Sequence, residues 1–230
     1  MTSEESDMKK ALIVVTIVLI LSAFAASAER TQEMIYYKSD EVKEFIFIAE
    51  NCTVEFEHSQ NMRVECPYGG NAVDISYNLY GQTLQVNIRG NNDQMEEREV
   101  ARFTLPSSDI DLFIINAINS TILIDSVMEQ NAYIAARNSS LISLDVRSSQ
   151  PHQIEIVLQD SSTLLFAVDE SLENIEIDAI ATDDTNHLRM GAAYPDFYRQ
   201  GEYHYERGSK DLVVHIRMSE GCSFELYTDQ

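Results

Sequence analysis

The sequence predicts an all-β fold whose middle third is wound as a β-solenoid, a stack of short strands. Two observations predict it. Past residue 28, nearly every apolar run alternates at period two, as in Phe45-Ile46-Phe47-Ile48, Val73-Asp74-Ile75-Ser76-Tyr77 and Leu84-Gln85-Val86-Asn87-Ile88. Each run is short, rich in β-branched or aromatic residues, and bounded by Gly, Asn, Asp or Pro, which is how half-buried strands read. The second observation is a step of 21 residues through Leu112, Tyr133, Ile154 and Ile175, kept two places on by Ile114, Ala135, Ile156 and Ile177. The same step passes through Asn119, Ser140, Ser161 and Thr182, within small polar clusters that separate paired apolar runs. A lone coil cannot bury its apolar side, whereas stacked coils bury a continuous core. On this reading Leu112, Tyr133, Ile154 and Ile175 share one interior column. A β-sandwich is the competing architecture.

Residues 1–28 read as a signal peptide. Lys9-Lys10 precede an uncharged run from Ala11 to Ala25, and Ala26-Ser27-Ala28 supplies the small residues of a cleavage site before Glu29. Met8-Lys9-Lys10 is itself a normal beginning, so either Met1 or Met8 is the start. An uncleaved anchor is the alternative. No second apolar run of spanning length follows, so the mature chain is expected to have no membrane span. Its expected place is the periplasm, the outer-membrane surface or the medium.

The next stretch, Gln32 to Glu44, is a candidate helical turn. Residues 29–105 otherwise read as an N-terminal β-strand region of the same domain. Cys52 and Cys66 flank two alternating runs around His58-Ser59-Gln60-Asn61, so a hairpin closed by a Cys52–Cys66 disulfide is expected. Such a loop would contribute about 3 kcal/mol in the chain-entropy model. Three buried thiols are the alternative. Tyr80-Gly81-Gln82 reads as a hairpin turn between the Val73 and Leu84 runs. Gln94 to Glu99 favours helix but is too short to carry a core. Residues 106–190 hold the repeat, about 21 residues per coil. Asn119-Ser120-Thr121, Asn138-Ser139-Ser140 and Asp160-Ser161-Ser162 fit its corners, because Asn and Asp tolerate tight turns and hydroxyls bond turn amides. Residues 191–230, with the run Leu212 to Met218, read as C-terminal strands and a cap.

The stretch from Phe45 to Met190 resembles the auto-transporter adhesin "head GIN" domain family of bacterial envelope proteins. Phe103-Thr104-Leu105-Pro106 stands where that family has a strand ending in Leu-Pro, and Asp111-Leu112-Phe113-Ile114 and the three polar corners follow. The family's corners are of Gly-Ala-Ser type. Here Asn and Asp stand in the place of Gly, and Asn is able to adopt the left-handed backbone that Gly would supply. The resemblance implies a right-handed β-helix-like domain at or beyond the cell envelope.

The formal net charge is -22, and -21 without residues 1–28, which carry three acids and two bases. Binding a polyanion draws on clustered Lys and Arg, and no such cluster exists, so nucleic acid is excluded as a partner. No nucleophile elbow, phosphate loop, dinucleotide fingerprint or zinc-protease helix is present. No catalytic residue is assigned and no cofactor is expected. Carboxylate pairs such as Asp109/Asp111 and Asp183/Asp184 are expected by chance in so acidic a chain. Asn91, Asp93 and Glu96 concentrate hard oxygen ligands on one loop and are the candidate calcium ligands, with Asp183-Asp184 beside Asn186 as a second set. Tyr194, Phe197, Tyr198, Arg199, Tyr203 and Tyr205 form a Tyr- and Arg-rich segment, a composition suited either to a binding surface or to covering the last coil.

The preferred function is an exported, non-enzymatic envelope or surface domain, adhesin-like, whose rigid β-helix body binds or scaffolds a glycan or an envelope protein. The alternative is a carbohydrate-active β-helix enzyme, a lyase or glycoside hydrolase. A third reading is a homo-oligomer joined through its solenoid ends, with Cys222 or the tyrosine-rich segment at the contact.

Overall fold

Alternation places the apolar side chains of each strand on one side of a pleated ribbon. The chain buries those sides by winding them into two sheets around one core. The computed structural model describes residues 33–38, 41–59, 63–68, 73–90, 100–106, 110–125, 131–146, 152–169, 174–190, 198–199, 201–209 and 211–229. The leader expected over residues 1–28 lies outside them. In chain order the strands are β1 (Glu33–Lys38), β2 (Glu44–Glu50), β3 (Thr53–Ser59), β4 (Arg63–Tyr68), β5 (Val73–Tyr80), β6 (Thr83–Gly90) and β7 (Val100–Pro106). There follow β8 (Leu112–Ile118), β9 (Thr121–Asp125), β10 (Asn131–Arg137), β11 (Leu141–Val146), β12 (His152–Leu158) and β13 (Thr163–Asp169). The last six are β14 (Ile175–Ala181), β15 (His187–Met190), β16 (Tyr198–Arg199), β17 (Glu202–Arg207), β18 (Leu212–Met218) and β19 (Ser223–Asp229). The described residues contain no α-helix. The fold is all-β, as expected.

Each coil sends one strand to either sheet, and successive coils pair in parallel. The first sheet runs β1-β4-β7-β3-β9-β11-β13-β19-β15, and the second runs β16-β17-β14-β18-β12-β10-β8-β2-β6-β5. Coils therefore do not stack in chain order at the ends. The β2–β3 coil sits between the β6–β7 and β8–β9 coils, and the β18–β19 coil sits between the β12–β13 and β14–β15 coils. Residues 212–229, read from the sequence as cap strands, thus form a complete coil within the stack. Antiparallel strands border it: β5 on β6, and β17 on β14. The expected turn at Gly81 is present, with Tyr80 opposite Thr83 and Gly81 at a φ of 63°.

The strict 21-residue column is corrected by the register. Phe113 lies against Ala132 and Ala132 against Ile154, steps of 19 and 22 residues. Since side chains alternate with period two, an odd departure from the assumed step exchanges the faces. Ile154 and Ile175 are buried, but Leu112 pairs with Asn131 at the surface, and Tyr133 is 38% exposed opposite Ile114 and Glu155. The true interior column of the second sheet runs Leu84, Phe45, Phe113, Ala132, Ile154, Val214, Ile177. Its partner in the first sheet includes Ala101, Val54, Ile122, Ile142, Leu164 and Phe224.

The small polar corners turn the chain from one sheet to the other. Asn51, Asn119, Asn138, Ser139, Asp160 and Ser161 all have φ between 48° and 61°, the left-handed region. Just inside each turn a small polar side chain is buried: Ser120, Ser140 and Ser162 are at most 2% exposed. Their hydroxyls donate to carbonyls of their own turns, Ser120 to Ile118 at 2.9 Å, Ser140 to Arg137 and Ser162 to Gln159 at 2.7 Å. Each oxygen also accepts an N–H from the next coil. Cys52 donates to Ser120 at 3.3 Å, Ser120 to Ser140 at 3.1 Å and Ser140 to Ser162 at 3.2 Å. This ladder satisfies corner groups that the sheets leave over and locks coil to coil. Ser140→Ala strands the Ser120 N–H in the interior, while the Arg137 carbonyl keeps the Asn119 N–H at 3.1 Å. It is expected to lower unfolding free energy by about 2 kcal/mol in urea titrations, with Ser139→Ala on the exposed side of the turn costing under about 0.5 kcal/mol.

The expected Cys52–Cys66 hairpin and bridge are also corrected. Strand β7 lies between β3 and β4, with Phe56 opposite Phe103 and Glu65 opposite Thr104. Two inter-strand spacings of about 4.8 Å separate β3 from β4. A disulfide requires Cα atoms within about 7 Å. Cys52 is instead a buried thiol at the first corner, its sulfur 3.9 Å from Ser120 Oγ. Gln32 to Glu44, read as a helical turn, contains strand β1 at the edge of the first sheet.

Candidate functional site

The residues of β12, β14, β17 and β18 that alternation turns away from the core meet on the outer face of the second sheet. Register aligns them in rungs. One rung runs Tyr133, Glu155, His215, Asp178, His204 across β10, β12, β18, β14 and β17. The rung on one side carries Val157, Arg217, Ile180 and Glu202, and the rung on the other carries Gln153, Val213, Glu176 and Glu206. These rungs line a concavity of about 640 Å³, reaching from Tyr133 to Glu202. Tyr133 and Ile180 present apolar surface there, at 38% and 45% exposure.

Asp178 is the hub of the polar side. One carboxylate oxygen lies 2.5 Å from His204 Nδ1 and the other 3.6 Å from His215 Nδ1. His204 Nε2 is 3.6 Å from Glu206. The hydrogen bond to Asp178 holds the His204 imidazole above its ordinary pKa, with the charges of Asp178, Glu176 and Glu206 adding to it and desolvation opposing. The face therefore offers carboxylate acceptors, imidazole and guanidinium donors, and apolar rings within one shallow basin. A rigid sheet sets their spacing, so little ordering entropy is lost on binding.

Apart from Tyr203, which borders the basin, the sequence-derived candidates fall elsewhere or outside the described residues. Asn91, Asp93 and Glu96 lie outside them, as do Asp109, Tyr194 and Phe197. Tyr198 and Arg199 form β16, paired with Tyr203 and Glu202 of β17; their side chains lie outside the described residues. Tyr203 is 2% exposed and belongs to the core, and Tyr205 packs half-buried against it. Tyr203 therefore offers no exposed ring: it borders the basin with its side chain closing the core beneath β17. Asp183 is committed to a corner. It accepts from Thr185 Oγ1 and N–H at 2.5 and 3.0 Å and from Glu220 N–H at 2.6 Å. Those bonds lower its pKa. Cys222 is fully buried, its sulfur donating to Ser219 O at 2.8 Å, and burial pushes its thiol pKa up. It cannot reach a subunit contact without unfolding the corner.

With the fold and this face defined, known proteins can be set beside the chain. No family model and no curated protein matches it. Among solved structures it is similar to one from Clostridium sporogenes described as a "putative cell adhesion protein". The TM-score is 0.53 at 9% identity over 86% of this chain and 99% of that one. The fold is shared. A second structure, described as a "putative adhesin" from Bacteroides fragilis, aligns at a TM-score of 0.36 and 10% identity over 86% of this chain and 98% of that one.

Sequence reasoning missed Glu155, Glu176, Asp178, His204, His215 and Arg217 as a group. Alternation did place His215 outward, and Glu176 and Asp178 flank the buried Ile177 in the same manner. The missing information was adjacency. His215 meets Asp178 only because β18 enters the stack beside β14, and His204 arrives on the other side because β17 turns back antiparallel.

Proposed function

We propose that the chain is an exported, adhesin-like module of the cell envelope that binds a neutral or amino-bearing glycan on the outer face of its second sheet. The basin of Tyr133, Glu155, Asp178, His204 and Arg217 carries this reading. Sugar recognition needs an apolar ring for the sugar face and a fixed set of donors and acceptors for its hydroxyls, and both are present at one site. The head GIN resemblance, the leader over residues 1–28 and the fold shared with a protein named for cell adhesion support the placement at the envelope. A net charge of -22 disfavours anionic glycans and favours amino sugars.

The basin also holds Glu155, Asp178 and Glu202, the residue type of a glycoside hydrolase. A general acid of that class needs an apolar pocket to keep its proton at neutral pH. Glu155 is exposed, and Asp178 is paired with two histidines. Binding without turnover is the reading these environments favour. On an array of neutral and amino-bearing glycans the protein is expected to bind a subset and release no reducing ends. Tyr133→Ala is expected to weaken that binding at least about tenfold with thermal stability retained. An array blank for the wild-type protein, or binding unchanged in Tyr133→Ala, overturns the proposal.

A further inference from the structure

We propose that Glu176, Asp178 and His204, joined by His215, form a binding site for a divalent metal ion of the zinc class. Donor atoms of Glu176, Asp178 and His204 all lie within 4.8 Å of one another. Ligands held 2.0–2.1 Å from a tetrahedral zinc ion are about 3.4 Å apart, so side-chain rotations of an ångström or so close the set. His215 approaches the second oxygen of the same Asp178 carboxylate, at 3.6 Å. Three adjacent strands thus bring two imidazoles and a shared carboxylate to a single rung, and Glu176 stands two residues along β14 on the same face.

The donor chemistry selects the metal. Calcium and magnesium take oxygen ligands, calcium six to eight of them, and imidazole is a poor partner for either. A mixed nitrogen and oxygen set suits zinc and its transition-metal neighbours. The carboxylates favour a dication electrostatically, and the chain's strong negative charge raises the local cation concentration. Asp178 and His204 are 34% and 46% exposed, so an ion reaches these ligands directly from the basin.

Metal binding is read without any glycan, so this site and the glycan reading stand or fall separately. Zinc chloride titrated calorimetrically into the purified full chain is expected to bind one ion per chain, and calcium chloride is expected not to compete. Asp178→Asn and His204→Ala are each expected to weaken binding at least about tenfold, with His215→Ala weakening it less. Cobalt(II) in place of zinc is expected to give a ligand-field absorption that His204→Ala removes. Far-UV circular dichroism and thermal midpoints show which variants are folded, and the exposed His204 provides a variant that does not disturb the core. No zinc uptake by the wild-type protein overturns the proposal, as does undiminished uptake in folded Asp178→Asn and His204→Ala.

Discussion

Replacing Phe47 by alanine is expected to destabilise the protein by about 4 kcal/mol, a large part of the 5–15 kcal/mol that a domain of ordinary stability has. Phe47 is fully buried on β2, and it sits at the centre of an aromatic cluster. Its ring centroid is 4.9 Å from that of Phe56, edge-on, 5.1 Å from that of Phe103, also edge-on, and 6.1 Å from that of Phe45. These rings come from both sheets and from two different coils, so a void at Phe47 loosens the stack at its most aromatic level. The neighbours are themselves interlocked, Phe56 with Phe113 at 5.1 Å, and have little room to collapse into the space. Phe47→Leu keeps much of the volume and is expected to cost about 1.5 kcal/mol. Urea denaturation followed by far-UV circular dichroism measures both. A Phe47→Ala loss no greater than that of Phe47→Leu would show that the cluster is not close-packed.

Gly90→Ala is expected to cost about 3 kcal/mol, for a reason of space rather than of backbone conformation. A Cβ at Gly90 would stand 2.0 Å from the carbonyl oxygen of Asn51 and 2.9 Å from its carbonyl carbon. Those atoms belong to the first corner, where Asn51 has a φ of 55°, and they are backbone, so they cannot swing aside. The contact exists because the β2–β3 coil is inserted beside β6. Gly81 is the natural control. It has a φ of 63° with nothing within 4 Å of its missing Cβ, so Gly81→Ala carries only the left-handed penalty of about 1–2 kcal/mol. Thermal and urea unfolding of both variants separate steric from conformational cost. Equal losses at the two positions would remove the close approach at Gly90 as an explanation.

Both predictions depend on a coil order that differs from chain order, and this is where sequence reading stops. Local pattern made the strands legible: Phe45-Ile46-Phe47-Ile48 alternates, and β2 buries Phe45 and Phe47 while Ile46 and Ile48 face outward. The polar corners were legible as well, because only a few residue types adopt a left-handed backbone without strain. The vertical alignment of coils was legible on average and not in detail. Between β8 and β10 the true step is 19 residues and between β10 and β12 it is 22, so of the positions chosen at a constant 21, Leu112 and Tyr133 lie on the outer face and Ile154 and Ile175 on the inner one. The candidate binding residues at Tyr198, Arg199, Tyr203 and Tyr205 followed from composition. Composition does not distinguish a ring exposed to a ligand from one that closes a core, and Tyr203 is the latter.

What the sequence by itself determined is every feature that a residue expresses with its near neighbours: strand, face, corner and charge. Period two is enforced by the pleat, and Cβ sterics restrict positive φ to a few residue types; both act within a few residues. Only the tertiary structure decided that β18 enters beside β14, that β17 returns against it, and that β7 parts Cys52 from the strand bearing Cys66. Parallel pairing is set by contacts far apart along the chain, and one alternating strand offers nearly the same edge as another. The basin of Tyr133, Asp178, His204 and His215 exists only because four such choices agree.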